Sequence, residues 1–581
     1  MLKLLRHLKP FLWMLVLLVI LVWIQVQVNL SLPDYLAEII NKGIVVKDQS
    51  FIWKTGGTML LISLLGAVAT VGVGYLAAQI GTGFARNVRD KLFSKVESFS
   101  LAEFGSFSTA SLITRSTNDI QQVQMVLVIL LRLVLMAPLM GIGAIIKAYQ
   151  LAPSMTWIMA LAVIVMMGII SILFAVAIPR FQKLQKLVDR LNLVTREILT
   201  GLRVIRAFNT EKYEEKKFDI ANADLTNANL FVNRLMVVTQ PMMMLIMNAT
   251  SLAIIWVGAQ RIDTGTLQIG DMIAFMQYGM QVIFSFLMIS IIFIMVPRAS
   301  VSAQRVEEVL EVKPIITDPE RPVRIDTITS GLVEFEDVTF SYSGADEPVL
   351  KNISFVAKPG ETTALIGSTG SGKSTLINLI PRFYDVTSGR VKIDGVDVRD
   401  LKMEDLYRKI GYVPQQGVLF SGTVESNIKY GAPHASDDEV HHVSRIAQAS
   451  EFVEKLDGEY QAPIAQGGAN VSGGQKQRLS IARALARKPE IYIFDDSFSA
   501  LDFKTDAALR HALNTETKNK TVLIVGQRIS TIMNADKIIV LDEGRIVGQG
   551  RHRELLKDNP VYREIALSQL SEEELFQKEQ I

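Results

Sequence analysis

The sequence predicts two folds in one chain: an all-α membrane domain with six transmembrane helices, followed by an α/β domain carrying a phosphate-binding loop. Three observations carry this. Six long apolar runs crowd the first half. The second half, from Gly331 onward, alternates short β patterns with helices, the signature of an α/β domain. Between them, residues 312–330 turn polar and proline-bearing (Lys313-Pro-Ile-Ile-Thr-Asp-Pro-Glu-Arg-Pro322), as a linker does. At 581 residues the chain is too long for one domain. Hydrophobic residues make up 49% of it and mean hydropathy is +0.29, high for a soluble protein. The net charge of +2 by itself points to no charged partner, and zero cysteines exclude disulfides, thiolate zinc sites and cysteine nucleophiles.

The apolar runs are 11–32, 58–80, 123–146, 155–178, 236–257 and 269–296. Each has about 20 residues or more, enough to cross a hydrocarbon core of roughly 30 Å. The first is too long for a signal-peptide core and lacks a small-residue cleavage site, so it is expected to stay as a helix. Before it, Met1–Lys9 intersperses Lys3, Arg6 and Lys9 among apolar residues, like a short helix lying in the membrane interface. Basic residues gather on one side: with these three go Arg86, Arg89, Lys91, Lys95, Arg115 and a dense set from Arg180 to Lys217. That bias places the N-terminus in the cytoplasm, and six spans return the chain there, into the second domain. The expectation is a multi-pass protein of the cell membrane.

The loops on the basic side, 81–122 and 179–235, are long and helical in pattern; Leu184, Leu187, Leu191, Val194 and Ile198 recur at three- and four-residue steps. They predict long intracellular helical extensions of the spans. Within the spans, Gln25, Gln27, Asn29, Arg132, Asn248, Gln277 and Gln281 are polar. Interhelical hydrogen bonding and contact with a transported substrate both account for them. Pro241, Met242–Met244 and Met247 are either apolar filler or a repackable surface for amphiphilic small molecules.

The central motif is Gly367-Ser-Thr-Gly-Ser-Gly-Lys-Ser374, matching G-x-x-x-x-G-K-[ST], with a short apolar strand before it and a helix start after it. Glycines let successive N–H groups curl around phosphate oxygens, and a helix N-terminus adds positive potential. The residues Gly367, Ser368, Thr369, Gly370, Ser371, Gly372 and Thr375 are candidate ATP or GTP contacts. Lys373 supplies a full charge for the β- and γ-phosphates and Ser374 an oxygen for Mg²⁺.

Five further stretches stand in order around this loop: Phe340-Ser-Tyr342, Val413-Pro-Gln415, Val471-Ser-Gly-Gly-Gln475, Ile491-Tyr-Ile-Phe-Asp495 and Ser499-Ala-Leu-Asp502. The set closely resembles the ATP-binding cassette (ABC) family. Leu112–Asp119 and Arg203–Phe208 resemble the intracellular regions of its exporter branch, so the resemblance covers essentially the whole chain. It implies that the second domain is an ATP-binding cassette domain and that its nucleotide is ATP. Tyr342 would stack on adenine, Asp495 would hold Mg²⁺, and Gln415 would touch Mg²⁺ and signal to the membrane helices. Ser472, Gly473, Gly474 and Gln475 would act in trans on ATP held by another subunit, because two cassettes of this family stack head to tail. Asp502 closes an unaltered aspartate loop.

Three positions depart from the family pattern. Asp496 stands where a glutamate normally orients the attacking water, Gln527 where a histidine is usual, and Gln466 where exporters often have glutamate. Asp496 and Gln527 serve the same ATP, and the pattern resembles the degenerate-site subunit of heterodimeric bacterial multidrug exporters. The expected partners are a second homologous half-transporter, the lipid bilayer and an amphiphilic small-molecule substrate, with no nucleic acid. A homodimeric lipid or glycolipid flippase and an ATP-gated channel or nucleotide-sensing subunit are the alternatives. A soluble DNA-repair-type ATPase is excluded by the six spans.

Overall fold

The structure, a computed structural model, describes residues 3–324 and 331–570. Contacts divide the chain into two units, Met1–Lys95 with Thr109–Glu311, and Val96–Ser108 with Val312–Ile581. Within the second unit the Glu103 carboxylate accepts the Ile315 N–H at 2.9 Å. The same carboxylate accepts the Ser100 N–H at 2.7 Å, closing a capping box on the helix Leu101–Ser106.

The first unit is helical. A short helix, Leu4–Phe11, leads into Leu12–Glu38, and Gln49–Glu97, Ile120–Leu151, Thr156–Thr200, Glu211–Asp263 and Ile269–Glu311 follow. Among the described residues, six helices are long and apolar enough to cross a membrane, and each holds one predicted run. The 53 residues of Glu211–Asp263 reach about 80 Å at 1.5 Å per residue, well over twice a hydrocarbon core of roughly 30 Å. The excess forms the extensions: the long loop 179–235 consists mostly of the ends of Thr156–Thr200 and Glu211–Asp263, joined through Leu202–Ala207.

Ile120–Leu151 packs along Ile269–Glu311, and Thr156–Thr200 along Glu211–Asp263. Val22, Val26, Val73, Ile80, Ala144, Met155 and Phe275 form the core. A polar knot is tied at its edge. The fully buried Tyr278 hydroxyl lies 2.6 Å from Asp34 Oδ1 and 2.8 Å from the Leu30 carbonyl, while Lys147 Nζ donates to Asp34 Oδ2 at 2.7 Å. Gln281 donates to the Asn29 carbonyl at 3.0 Å, and Gln25 is buried, whereas Gln27, Arg132 and Asn248 are exposed. Of the methionine group, Met243 is buried and Met244 exposed.

The second unit has a four-stranded antiparallel sheet in the order Leu350–Ala357, Val333–Phe340, Ser388–Ile393, Val396–Asp397. A six-stranded sheet runs Arg545–Gly550, Lys537–Asp542, Thr362–Gly367, Thr521–Val525, Ile491–Asp495, Ile410–Val413. All its pairs are parallel except the edge pair with Arg545–Gly550. Its central strands are buried on both faces, which is why they read as unbroken apolar runs rather than alternating ones.

Candidate functional site

Parallel strands end on one edge, and that edge is where open α/β sheets bind ligands. Thr362–Gly367 pairs with Thr521–Val525, Val525 stands opposite Asp495, and Ile491–Asp495 pairs with Ile410–Val413. The strand ends therefore deliver the phosphate loop, Gln527, Asp495 with Asp496, and Gln415 to neighbouring positions on one edge.

The loop is shaped by its glycines. Gly370 and Gly372 adopt φ of +85° and +97°, and a Cβ on Gly367 would lie 2.0 Å from the Leu541 carbonyl oxygen. The helix Lys373–Leu379 starts at Gly372 without a side-chain cap, leaving first-turn N–H groups for an anion. Lys373, 8% exposed, donates to the carbonyls of Gly367 at 2.9 Å and Ser368 at 2.7 Å and lies 3.3 Å from Ser371 Oγ. Burial lowers its pKa, opposed by the charges of Asp496 and Asp495.

Ser374 Oγ donates to Asp495 Oδ1 at 3.0 Å. Burial raises the Asp495 pKa above the ordinary carboxylate value, and the Ser374 bond works against it. A hydroxyl and a carboxylate this close are hard oxygen donors of the kind Mg²⁺ takes beside phosphate oxygens. Among the described residues no group of three or more His, Cys, Asp or Glu could hold a metal unaided. Ser374 and Asp495 thus fit Mg²⁺ arriving with a nucleotide.

Asp496 sits at φ +45°, a left-handed conformation that costs a non-glycine residue about 1–3 kcal/mol. Its N–H donates to the Val525 carbonyl at 3.0 Å, anchoring it to the neighbouring strand. Its Oδ2 accepts two amides, from Gln527 Nε2 at 2.8 Å and Gln415 Nε2 at 3.2 Å. Burial raises its pKa, and the Gln415 bond opposes that. The two departing residues, Asp496 and Gln527, are thereby bonded to each other. Gln569, which sequence reasoning missed, supports them: its Nε2 donates to the Gln527 carbonyl and its Oε1 accepts the Ile529 N–H, both at 2.8 Å.

The Tyr342 hydroxyl is 2.9 Å from Thr375 Oγ1, and its ring meets Phe340 and Tyr384 edge-on at 4.9 and 5.3 Å. Tyr384 also escaped the sequence reading, since nothing in its local pattern marks it. Ser472–Gln475 form a turn of their own. Ser472 caps the helix Gly473–Ala486 in a reciprocal capping box: Gln475 N–H donates to Ser472 Oγ at 3.3 Å, and Ser472 N–H to Gln475 Oε1 at 2.8 Å. Ser472 and Gly473 are exposed. Asp502 caps Phe503–Glu516, its Oδ1 accepting the Thr505 N–H at 3.0 Å, a bond that holds its pKa below the usual carboxylate value.

A phosphate-loop ATPase domain fused to six membrane-crossing helices defines the class: an ATP-driven membrane transporter. Residues 15–286 match the ABC transporter transmembrane region and residues 350–499 the ABC transporter family. The chain belongs to the ABC transporters, exporter type, and is a half-transporter: one membrane domain fused to one ATP-hydrolysing domain. An uncharacterized ABC transporter ATP-binding protein of Mycobacterium tuberculosis is 42% identical over 97% of both chains. An ATP-dependent lipid A-core flippase of Hahella chejuensis is 32% identical over 89% of both chains. A bacterial Atm1-family ABC exporter with ATP bound superimposes with a TM-score of 0.78 at 23% identity, covering 95% of this chain and 97% of that one. ABC exporters act as dimers in a lipid bilayer, and the cassette domain binds ATP.

Proposed function

We propose that this chain is the slow-hydrolysing half of a heterodimeric exporter of amphiphilic small molecules. Its N-terminus and cassette domain lie in the cytoplasm. The observation that carries this is the Gln415–Asp496–Gln527 cluster. Hydrolysis needs a carboxylate that orients water toward the γ-phosphorus and accepts its proton while the bond to ADP breaks. Asp496 is one methylene shorter than glutamate, which withdraws its oxygens by about one C–C bond length, roughly 1.5 Å. Misplacement of about 1 Å costs on the order of 100-fold in rate. Its Oδ2 is also engaged by two amides, and Gln527 exchanges no proton near neutral pH as an imidazole does.

The other parts support retention of nucleotide. Lys373 would turn from the loop carbonyls to the β- and γ-phosphates, the loop N–H groups would cradle them, and Tyr342 would stack on adenine. Ser374, Asp495 and Gln415 would hold Mg²⁺, which neutralises phosphate charge when bound. Ser472 and Gly473 are exposed, and with Gly474 and Gln475 they would complete the site of a second, homologous half-transporter. Closure of the two cassettes on ATP would favour the outward-open membrane domain only as far as ATP binds the closed state more tightly.

The test is Asp496→Glu with Gln527→His, assayed for ATPase activity in nanodiscs with and without a partner half-transporter. The double variant should hydrolyse ATP about 100-fold faster than the unaltered chain alone. Equal rates would end the slow-site reading. The flippase relatives favour a second reading, a homodimeric lipid flippase, for which full-speed ATPase by the unaltered chain alone would be the mark.

A further inference from the structure

In the first unit a cavity of about 500 Å³ is lined by Arg6, His7, Lys9, Lys91, Lys95 and Leu310. That volume falls within the roughly 300–1,000 Å³ of small-molecule sites. Four of the six residues are cationic and a fifth is an imidazole, so the chemistry selects an anion. The cavity lies beside the short helix Leu4–Phe11 and residues near the ends of Gln49–Glu97 and Ile269–Glu311.

His7 separates this place from an ordinary basic face. It is only 9% exposed, its Nε2 has no hydrogen-bond partner, and its Nδ1 is 3.3 Å from Lys91 Nζ. Buried polar atoms are nearly always paired, and an imidazole beside an ammonium is completed by an acceptor-rich anion. Arg6 is held by the buried Glu307, its Nη2 pairing with that carboxylate at 3.2 Å.

The surroundings identify the source of the anion. Directly after this short helix, Leu12 and Trp13 are 60% and 80% exposed. Apolar and indole side chains at the end of a membrane helix mark the headgroup level, which is also the depth of phospholipid phosphates. We propose that Arg6, His7, Lys9 and Lys91 bind the phosphate of an anionic phospholipid headgroup. Free inorganic phosphate shares this chemistry, and the test separates the two. The inference does not depend on how fast the nucleotide site turns over.

The full chain is reconstituted in phosphatidylcholine nanodiscs with increasing phosphatidylglycerol, and retained lipid is measured by native mass spectrometry after transfer to detergent. The unaltered chain should retain phosphatidylglycerol saturably over phosphatidylcholine. Lys9→Gln with Lys91→Gln should weaken that retention about 30-fold, and Lys9→Gln alone about fivefold. Lys9→Arg with Lys91→Arg should keep it. The single variant carries the test if the double one does not elute as one species. Equal retention by the unaltered chain and the glutamine variants overturns the site. Thermal stabilisation by inorganic phosphate in detergent, lost in the glutamine variants and without preference for phosphatidylglycerol, overturns the lipid assignment.

Discussion

The turns Gly367–Gly372 and Val471–Gly474 both place glycines at the start of a helix, yet they are finished in opposite ways. The phosphate loop is hemmed in: Lys373 is buried, Gly367 abuts the Leu541 carbonyl, and no side chain caps the helix Lys373–Leu379. The signature turn is exposed and already satisfied by its own capping box between Ser472 and Gln475. Nothing within 4 Å would meet a Cβ on Gly473. The difference teaches which side of each turn does the recognising. The phosphate loop needs the body of its own domain to hold its shape and leaves N–H groups for a ligand. The signature turn is a self-supporting tip that can be offered to another surface.

The largest effect should come from setting the two glycines against each other. Gly367→Ala drives a methyl into a backbone oxygen 2.0 Å away, and no rotamer relieves it; we expect about 3 kcal/mol of destabilisation in thermal unfolding. Gly473→Ala should stay within about 0.5 kcal/mol of the unaltered chain. Comparable losses in both would break the contrast.

Next comes Lys373→Ala, which should weaken Mg²⁺-ATP binding about 100-fold by titration calorimetry, since bonds to a charged group contribute about 1.5–3 kcal/mol. Ser472→Ala sharpens the same point from the other turn. ATP affinity of this chain should change by no more than about twofold, while turnover by the proposed heterodimer should drop about 100-fold. A matching loss of ATP affinity in both variants would mean that Ser472 serves this chain's own nucleotide. The smallest effect belongs to Gln527→Ala. It removes the 2.8 Å donor from Asp496 and should cost about 1 kcal/mol in chemical denaturation, with Gln415 left as the remaining amide.

Contiguous chemistry was legible in the sequence and separated chemistry was not. The phosphate loop could be read because its residues sit side by side between an apolar strand and a helix start. The six spans could be read because burial in lipid demands about 20 apolar residues in a row. The Ser374–Asp495 bond joins positions 121 apart, and Gln415 lies 81 residues from the Asp496 it bonds. No local pattern marks Gln569, Tyr384 or Asp34, because each acquires its role from a neighbour on another element. The resemblance to a known family attached Asp496 and Gln527 to one ATP and Gln415 to Mg²⁺, but did not show the two amides meeting on Asp496.

Hydrophobic period and run length determined the two fold classes and the six membrane helices, and the contiguous glycine-lysine-serine motif determined the phosphate-binding chemistry; all are properties of chain order. Strand order decided the rest. Parallel pairing of Thr362–Gly367, Thr521–Val525, Ile491–Asp495 and Ile410–Val413 brings four distant strand ends to one edge. Only that placement clamps the Asp496 carboxylate between two glutamines, and only helix packing closes Arg6, His7, Lys9 and Lys91 around one cavity. The physical reason is range: periodicity acts within a few turns of chain, while hydrogen bonds and charge act through space wherever packing delivers the partners.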